Sequence, residues 1–266
     1  MKKGKLISKG LTAEVYEWGQ DKVLKLYYDW FSEDRVKHDA EIEYAVHEAG
    51  VASPAIFDII DSGGRKGIIM QRIPGKTMAM HVQEEPWNIN CFTRQLAALH
   101  YKIHQCSAEK LPSQKESLAS AIEKSSKILG NKLTKVLSYL ESLPGGSSVC
   151  HGDLHFANII ISGNDLIAID WSSACKGNPL GDIARTCLTI ASPAMPIKGI
   201  PYTLLVPFML GKSPVYLAYI NEYTRLSKVS SESIKAWILP IAAARLKENI
   251  PGEKKWLMDI IDSQVP

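Results

Sequence analysis

The chain has 266 residues, 45% apolar and 22% charged, which supplies enough apolar mass for a sizeable core and leaves neither end with the composition of a disordered tail. Thirty-one Lys and Arg against 28 Asp and Glu give a net charge of +3, too small and too evenly spread for a basic nucleic-acid-binding stripe. The five cysteines, Cys91, Cys106, Cys150, Cys175 and Cys187, form no CxxC pair and are odd in number, so reduced thiols in a cytoplasmic protein are expected.

The first seventy residues read as short strands around one helix. Leu6-Ile7, Ala13 to Trp18 and Lys22 to Tyr27 are strand candidates, the last two joined as a hairpin by Gly19-Gln20-Asp21. From Ser32 to Ala49 the apolar positions Val36, Ala40, Ile42, Ala45 and Val46 predict a helix, and Gly50 stops it. Pro54 releases the chain into two more strands, Ala55 to Ile60 and Gly67 to Ile73, around a Ser62-Gly63-Gly64 turn. An antiparallel sheet with one helix follows, and Ile73 to Thr77 reads as the linker out of it.

Beyond the linker the pattern is mainly helical. Phe92, Leu96, Leu99 and Ile103 share one helical face, Leu133, Val136, Leu137 and Leu140 another, and the serine-rich stretch Gln114 to Ser126 reads as a surface helix and loop. Strands return at Ser147 to Cys150, Asn158 to Ile161 and Leu166 to Ile169, with Gly163-Asn164 as a turn. Helices are predicted at Leu180 to Ala191, Pro214 to Leu226, Ser233 to Glu248 and Glu253 to Ile261, the third interrupted or kinked at Pro240. The start, MKKGKLISKG, is followed by Glu14, Glu17 and Asp21 instead of the apolar run of a signal peptide. The most apolar stretch, Ile200 to Leu210, is broken by Pro201 and Pro207 and is shorter than the roughly 20 residues a bilayer requires, so no membrane partner is expected.

The chemistry concentrates in His151-Gly152-Asp153-Leu154-His155-Phe156-Ala157-Asn158, followed by Asp170 in Ile169-Asp170-Trp171. Asp153 and Asn158 bracket a tight loop, and Asp170 leaves the following hairpin toward the same volume. Two carboxylates and an amide carbonyl are oxygen ligands suited to magnesium, and magnesium suits a nucleotide's phosphates. A carboxylate outside the metal shell can orient a hydroxyl and receive its proton.

This segment resembles the aminoglycoside phosphotransferase family of the protein-kinase-like superfamily. The likeness lies in a kinase-type catalytic loop, with Asp and Asn five positions apart, and in an Ile-Asp-Trp metal motif in place of Asp-Phe-Gly. It implies an α+β, bilobal protein-kinase-like fold: a small antiparallel-sheet N-terminal lobe over 1–73, a linker over 74–77 and a mainly helical C-terminal lobe over 78–266. It also implies that Asp153 is the catalytic aspartate, that Asn158 and Asp170 hold Mg2+ on ATP, and that His151 and Asp182 brace the loop. Lys25 matches the strand lysine that meets the α- and β-phosphates, and Gly10 and Thr12 lie in a phosphate-covering hairpin loop. Met70, Gln71 and Ile73 would form the hinge that holds adenine. For the acidic partner of Lys25, Asp39 has the best register relative to Gly50 and Pro54, with Glu43 one turn later as the alternative.

The implied activity is ATP-dependent transfer of a γ-phosphoryl group to the hydroxyl of a metabolite or aminoglycoside-like compound, with GTP as the alternative nucleotide. Acidic residues such as Glu222, Glu248 and Glu253 could meet a cationic acceptor, the plainer reading of each being a solvated surface residue. Three other readings compete. His151-x-Asp153-x-His155 resembles a metal-hydrolase ligand set, but that leaves Lys25, Asn158 and Asp170 without a role. A catalytically silent nucleotide-binding scaffold would keep the fold without the transfer. A protein kinase is disfavoured because the chain lacks Asp-Phe-Gly and the Ala-Pro-Glu that closes an activation segment. Arg185, in Gly181-Asp182-Ile183-Ala184-Arg185, departs from the pattern of many relatives.

Overall fold

A computed structural model describes residues 3–194 and 214–265. The apolar stretch Ile200 to Leu210 lies outside the described residues. Among those described, no helix is long and apolar enough to cross a membrane.

The N-terminal region is a five-stranded antiparallel sheet of β1 (Leu6–Lys9), β2 (Ala13–Glu17), β3 (Lys22–Tyr27), β4 (Ile56–Ser62) and β5 (Arg65–Gln71), in the order β1-β2-β3-β5-β4. One helix, α1 (Glu33–Glu48), packs on it, its first turn capped by Ser32 Oγ, which accepts from the Arg35 N–H. The period of two along central strand β3 sorts its side chains. Leu24 and Leu26 pack with Trp18 and Ile69 on the outer face, while Tyr27 packs with Val36, Ala40 and Ile68 on the face that α1 covers. Lys25 shares the Tyr27 face and is therefore turned inward.

The α1 helix has two apolar surfaces. Val36 and Ala40 meet the sheet, whereas Ile42, Ala45 and Val46 belong to the main core, together with Met78, Leu96, Ile159 and Trp171. That core is built around α2 (Met78–Glu84), α3 (Ile89–Ile103), α4 (Gln114–Lys124), α5 (Ser126–Leu129), α6 (Leu133–Ser142) and α7 (Pro179–Ala191). Helices Pro214–Ser227, Ser231–Lys235, Ile238–Arg245 and Glu253–Gln264 complete the described C-terminal lobe. The expected α+β bilobal architecture is thus the observed one.

Several local expectations change. The predicted helix from Ser233 to Glu248 is two helices with a break at Ala236 and Trp237, so Pro240 sits in the first turn of the second, where its missing N–H costs little. The end of the expected linker, Lys76–Thr77, is a short strand, β6, which pairs with β8 (Ile159–Ser162). Met78, the first residue of α2, is buried in the core, and Met80 is exposed. Strand β7 (Ser148–Cys150) is paired by β10 (Cys175–Gly177), which the sequence pattern does not announce, and β8 pairs with β9 (Asp165–Ala168). All five cysteines are free thiols.

Gly75 sets the approach of β6 to β8. Its φ is +129°, and a Cβ there would lie 2.1 Å from the Ile161 carbonyl oxygen. Gly75→Ala should therefore destabilise the protein by more than about 2 kcal/mol, a fall in Tm of about 4 to 8 °C for a chain of this size. Gly145→Ala, where φ is ordinary and a Cβ meets nothing within 4 Å, should leave Tm nearly unchanged in the same thermal melt.

Candidate active site

Lys25 is the meeting point of the two lobes. Its Nζ donates to Glu43 Oε1 at 3.1 Å and to Asp170 Oδ1 at 3.0 Å. Burial opposes the charge of Lys25, but the carboxylates of Glu43 and Asp170 override it and hold the ammonium well above its ordinary pKa. A lysine on an edge strand is commonplace, but this one stands in the middle of the sheet and is 8% exposed. The helical partner is Glu43, not Asp39. Asp39 lies one turn earlier on α1 and accepts from the Tyr27 hydroxyl at 3.1 Å. The longer glutamate, nearer the C-terminal end of α1, is the one that reaches Lys25.

Asp170 follows β9 with φ +63°, a left-handed conformation that costs a non-glycine residue about 1 kcal/mol or more. Desolvation opposes its ionisation, yet the adjacent Lys25 holds its carboxyl below the usual range. Ser172 Oγ lies 3.4 Å from the same Oδ1. Asn158 ends a short 3-10 turn (Phe156–Asn158), and its Nδ2 donates to the Asp153 carbonyl at 3.0 Å. That bond commits the amide nitrogen, so Oδ1 is the atom Asn158 can offer a cation. Two side chains with oxygen donors, one of them a carboxylate, fit the hard coordination preference of Mg2+.

The loop from β7 to β8 is held from below by one face of α7. Asp182 Oδ2 accepts the His151 N–H, and Oδ1 accepts the Gly152 N–H at 2.9 Å. Thr186 Oγ1 donates to the Leu154 carbonyl at 3.0 Å, and Arg185 Nη2 lies 3.2 Å from Asp153 Oδ1. Positions 182, 185 and 186 share a helical face, so consecutive loop residues are gripped by one surface. Gly152, at φ +79°, makes the closeness possible, because a Cβ there would lie 2.3 Å from the Ser173 carbonyl oxygen. His151 is fully buried. Its Nε2 donates to the Ile169 carbonyl at 3.1 Å and its Nδ1 accepts from the Asp153 N–H at 3.3 Å, a neutral tautomer fixed by two backbone partners.

Asp153 itself is reached from two sides. Desolvation disfavours its charge, but His155, whose Nε2 lies 3.6 Å from Oδ2, and the Arg185 guanidinium hold the carboxyl far below its usual range. His155 also caps the 3-10 turn through Nδ1, which accepts from the Ala157 N–H, so it orders the loop and does not complete a metal-hydrolase set.

The remaining expected site residues are more dispersed. Gly10 and Thr12 lie in the tight turn between β1 and β2, closed by the Gly10 N–H on the Ala13 carbonyl at 2.8 Å, with Leu11 at its exposed tip. Met70 is buried on β5, opposite Val23. The Gln71 N–H is committed to the Ala55 carbonyl at 2.8 Å and the Arg72 N–H to Asp21, so neither donor is available to a nucleobase, and Ile73 follows at the exit from the sheet. Of the acidic residues considered for an acceptor, Glu253 is buried against Arg245, Glu222 pairs with Arg225 on its own helix, and Glu248 meets Arg185.

Sequence patterning did not single out His100 and His104, although an i, i+4 histidine pair beside the apolar face of α3 was a usable signal. Among the described residues they form, with Asp182, the one cluster of three with metal-ligating atoms close together. Each atom is already engaged. His100 Nε2 lies 2.9 Å and His104 Nε2 3.3 Å from Asp182 Oδ2, and their Nδ1 atoms meet the hydroxyls of Tyr219 at 2.6 Å and Tyr223 at 2.8 Å. Two imidazoles are also a poor donor set for Mg2+, which leaves Asn158 and Asp170 as the better fit. The buried cluster therefore anchors Asp182, whose charge it stabilises.

Two predictions follow from these contacts. Glu43→Ala leaves the Lys25 charge short of a buried partner and should cost about 3 kcal/mol, whereas Asp39→Ala loses a single hydrogen bond and should cost about 1 kcal/mol. In urea denaturation, a double-mutant cycle with Lys25→Met should show stronger coupling to Glu43, which Lys25 contacts directly, than to Asp39, which feels its charge at longer range. Burial holds the His100 imidazole down at about 4, so the unfolded chain, with an ordinary value near 6.5, binds a proton that the native state refuses. Stability is then full above about pH 6.5 and falls as the pH is lowered toward about 4, and His100→Gln should flatten part of that fall in Tm.

The family model described as the phosphotransferase enzyme family matches residues 3–200. No curated protein sequence matches the chain. Among solved structures, a thermostable mutant of aminoglycoside phosphotransferase APH(4)-Ia in its apo form is similar with a TM-score of 0.64 at 16% identity, covering 99% of this chain and 94% of its own. The streptomycin-ATP-APH(2")-IIa ternary complex gives 0.58 at 13% identity, covering 100% and 92%. A choline/ethanolamine kinase family protein from Mesorhizobium loti gives 0.52 at 18%, covering 99% and 85%. At these identities the structural likeness establishes the fold, and the family match spans most of the chain. The protein belongs to the phosphotransferase enzyme family, within the protein-kinase-like superfamily that includes the aminoglycoside phosphotransferases.

Proposed function

We propose that the protein transfers the γ-phosphoryl group of ATP to a hydroxyl of a small molecule. The observation that carries this reading is the pairing of Lys25 with both Glu43 and Asp170, which brings a buried cation from the sheet and a candidate metal carboxylate from the other lobe to one point. A phosphate-binding lysine without a metal carboxylate beside it would serve binding alone. Asp153 supplies the third requirement, an ionised carboxylate about one third exposed, able to receive a hydroxyl proton.

Asn158 and Asp170 would hold Mg2+, which when bound neutralises charge on the transferring phosphoryl group. Lys25 contributes a fixed positive charge that water cannot reorganise, and Glu43 keeps its side chain in one rotamer. Asp153 aligns the acceptor hydroxyl for in-line transfer and takes its proton, so that the acceptor oxygen gains the phosphoryl group as the bond to ADP breaks. His151 and Asp182 hold the loop from which Asp153 projects. A small acceptor is favoured because the sequence carries neither the Asp-Phe-Gly nor the Ala-Pro-Glu that bound a protein kinase's activation segment. It is also consistent with the fold relatives, solved with hygromycin B and AMP-PNP or with streptomycin and ATP.

The test is a metabolite extract incubated with Mg2+ and γ-labelled ATP or GTP, comparing wild type with Asp153→Asn by mass spectrometry. A phosphorylated small molecule formed only by wild type is the expected result, and Asp170→Ala should lose turnover by about 100-fold or more. A folded, nucleotide-binding protein that labels nothing would favour the scaffold reading, and a labelled polypeptide would favour a protein kinase.

A further inference from the structure

Arg185 is the residue in the active site for which the family resemblance supplies no role. It stands one turn along α7 from Asp182, and its Nη2 reaches Asp153 Oδ1 at 3.2 Å. The same guanidinium is held from the other side by Glu248, with Nη1 to Oε1 at 2.7 Å and Nη2 to Oε2 at 3.0 Å. Glu248 lies 3.8 Å from Arg245, and Arg245 is clamped by Glu253 through two bonds of 2.7 Å and donates to Thr189 at 3.1 Å. Glu253 in turn accepts from Ser192 Oγ at the end of α7. The charges alternate from the catalytic loop to the first residue of the C-terminal helix: Asp153, Arg185, Glu248, Arg245, Glu253.

We infer that Arg185, anchored by Glu248, is a positioning residue for phosphoryl transfer: it holds Oδ1 of Asp153 at 3.2 Å and so turns Oδ2, which lies 3.6 Å from His155 Nε2, toward the acceptor hydroxyl. This rests on the function proposed above. Three features support a positioning role over simple scaffolding. A bidentate guanidinium fixes direction as well as distance, which a lysine does not. Arg185 is only 15% exposed, and its Nε is the one buried side-chain nitrogen or oxygen among the described residues without a hydrogen-bond partner. The side chain thus gives up one of its own bonds in the orientation that serves Asp153 and Glu248. Finally, the anchor lies at residues 245–253, beyond the 3–200 span of the family match, so the last segment of the chain takes part in aligning the catalytic carboxylate.

The experiment measures Mg2+-ATP turnover by the full chain with water as the phosphoryl acceptor, alongside nucleotide affinity and Tm. Arg185→Gln should lower kcat by about 10- to 100-fold, the scale of a small misplacement of a reacting group, while the KM for ATP stays within about twofold. Arg185→Lys should recover only part of the loss, and Glu248→Gln should show a smaller loss of the same kind. In the Asp153→Asn background, Arg185→Gln should have no further effect on kcat. Equal multiplicative losses with and without Asp153, or a loss that tracks Tm alone, would overturn the positioning role. If wild type turns over no faster than Asp153→Asn, Asp153 aligns no acceptor here and the inference fails, while the proposed function stands or falls separately on labelling in the metabolite extract; if wild type is active and Arg185→Gln keeps its rate, only the inference fails.

Discussion

The candidate active site depends on one helical surface holding one loop. Residues 151 to 154 carry the Asp153 carboxylate on a turn with the left-handed Gly152 in it. Asp182, Arg185 and Thr186 lie at i, i+3 and i+4 on α7 and take hold of His151, Gly152, Asp153 and Leu154 in succession. The backbone N–H groups of the turn find a carboxylate, a carbonyl finds a hydroxyl, and the half-buried Asp153 carboxylate finds a guanidinium. Asp182 is in turn fixed by two histidines, each backed by a tyrosine hydroxyl, so the support extends into α3 and the Pro214–Ser227 helix. A buried carboxylate with this many donors has little freedom to move or to lose its charge.

The second dependence is between lobes. Lys25 lies on the central strand of the sheet, and its ammonium contacts a helix of its own lobe and a carboxylate 145 residues later. Its position follows from strand periodicity, since Leu24 and Leu26 take the outer face and Lys25 must take the inner one. The geometry of the sheet is thereby coupled to the exit of the β8–β9 hairpin, where Asp170 holds its strained backbone.

Much of this was legible in the sequence because it is local. Strand alternation gave β2 and β3, glycine and proline gave the turns, and the spacing of Asp153, Asn158 and Asp170 pointed to the candidate site loop. Other features were hidden because they depend on distance. The choice between Asp39 and Glu43 turns on which of two successive helical turns faces Lys25, and counting from Gly50 and Pro54 selects the wrong one. The β10 strand is three residues long and exists only because β7 lies beside it. The break at Ala236 and Trp237 moves Pro240 from a helix interior to a helix start, a change that propensity does not show. The contact of Arg185 with Glu248 joins residues far apart in the chain through side-chain reach alone, so no window of sequence contains it.

The two apolar surfaces of α1 have a consequence for how the molecule folds. Val36 and Ala40 complete the small core beneath the sheet, whereas Ile42, Ala45 and Val46 complete the large one. The sheet and its helix, separated from the rest, would present that second surface to water, and the helical lobe would lose one wall. The lobes are therefore distinct in architecture but joined in cooperativity: the last turns of α1 act as a shared foldon, and local opening of the cleft is limited to motions that keep this helix seated on both sides.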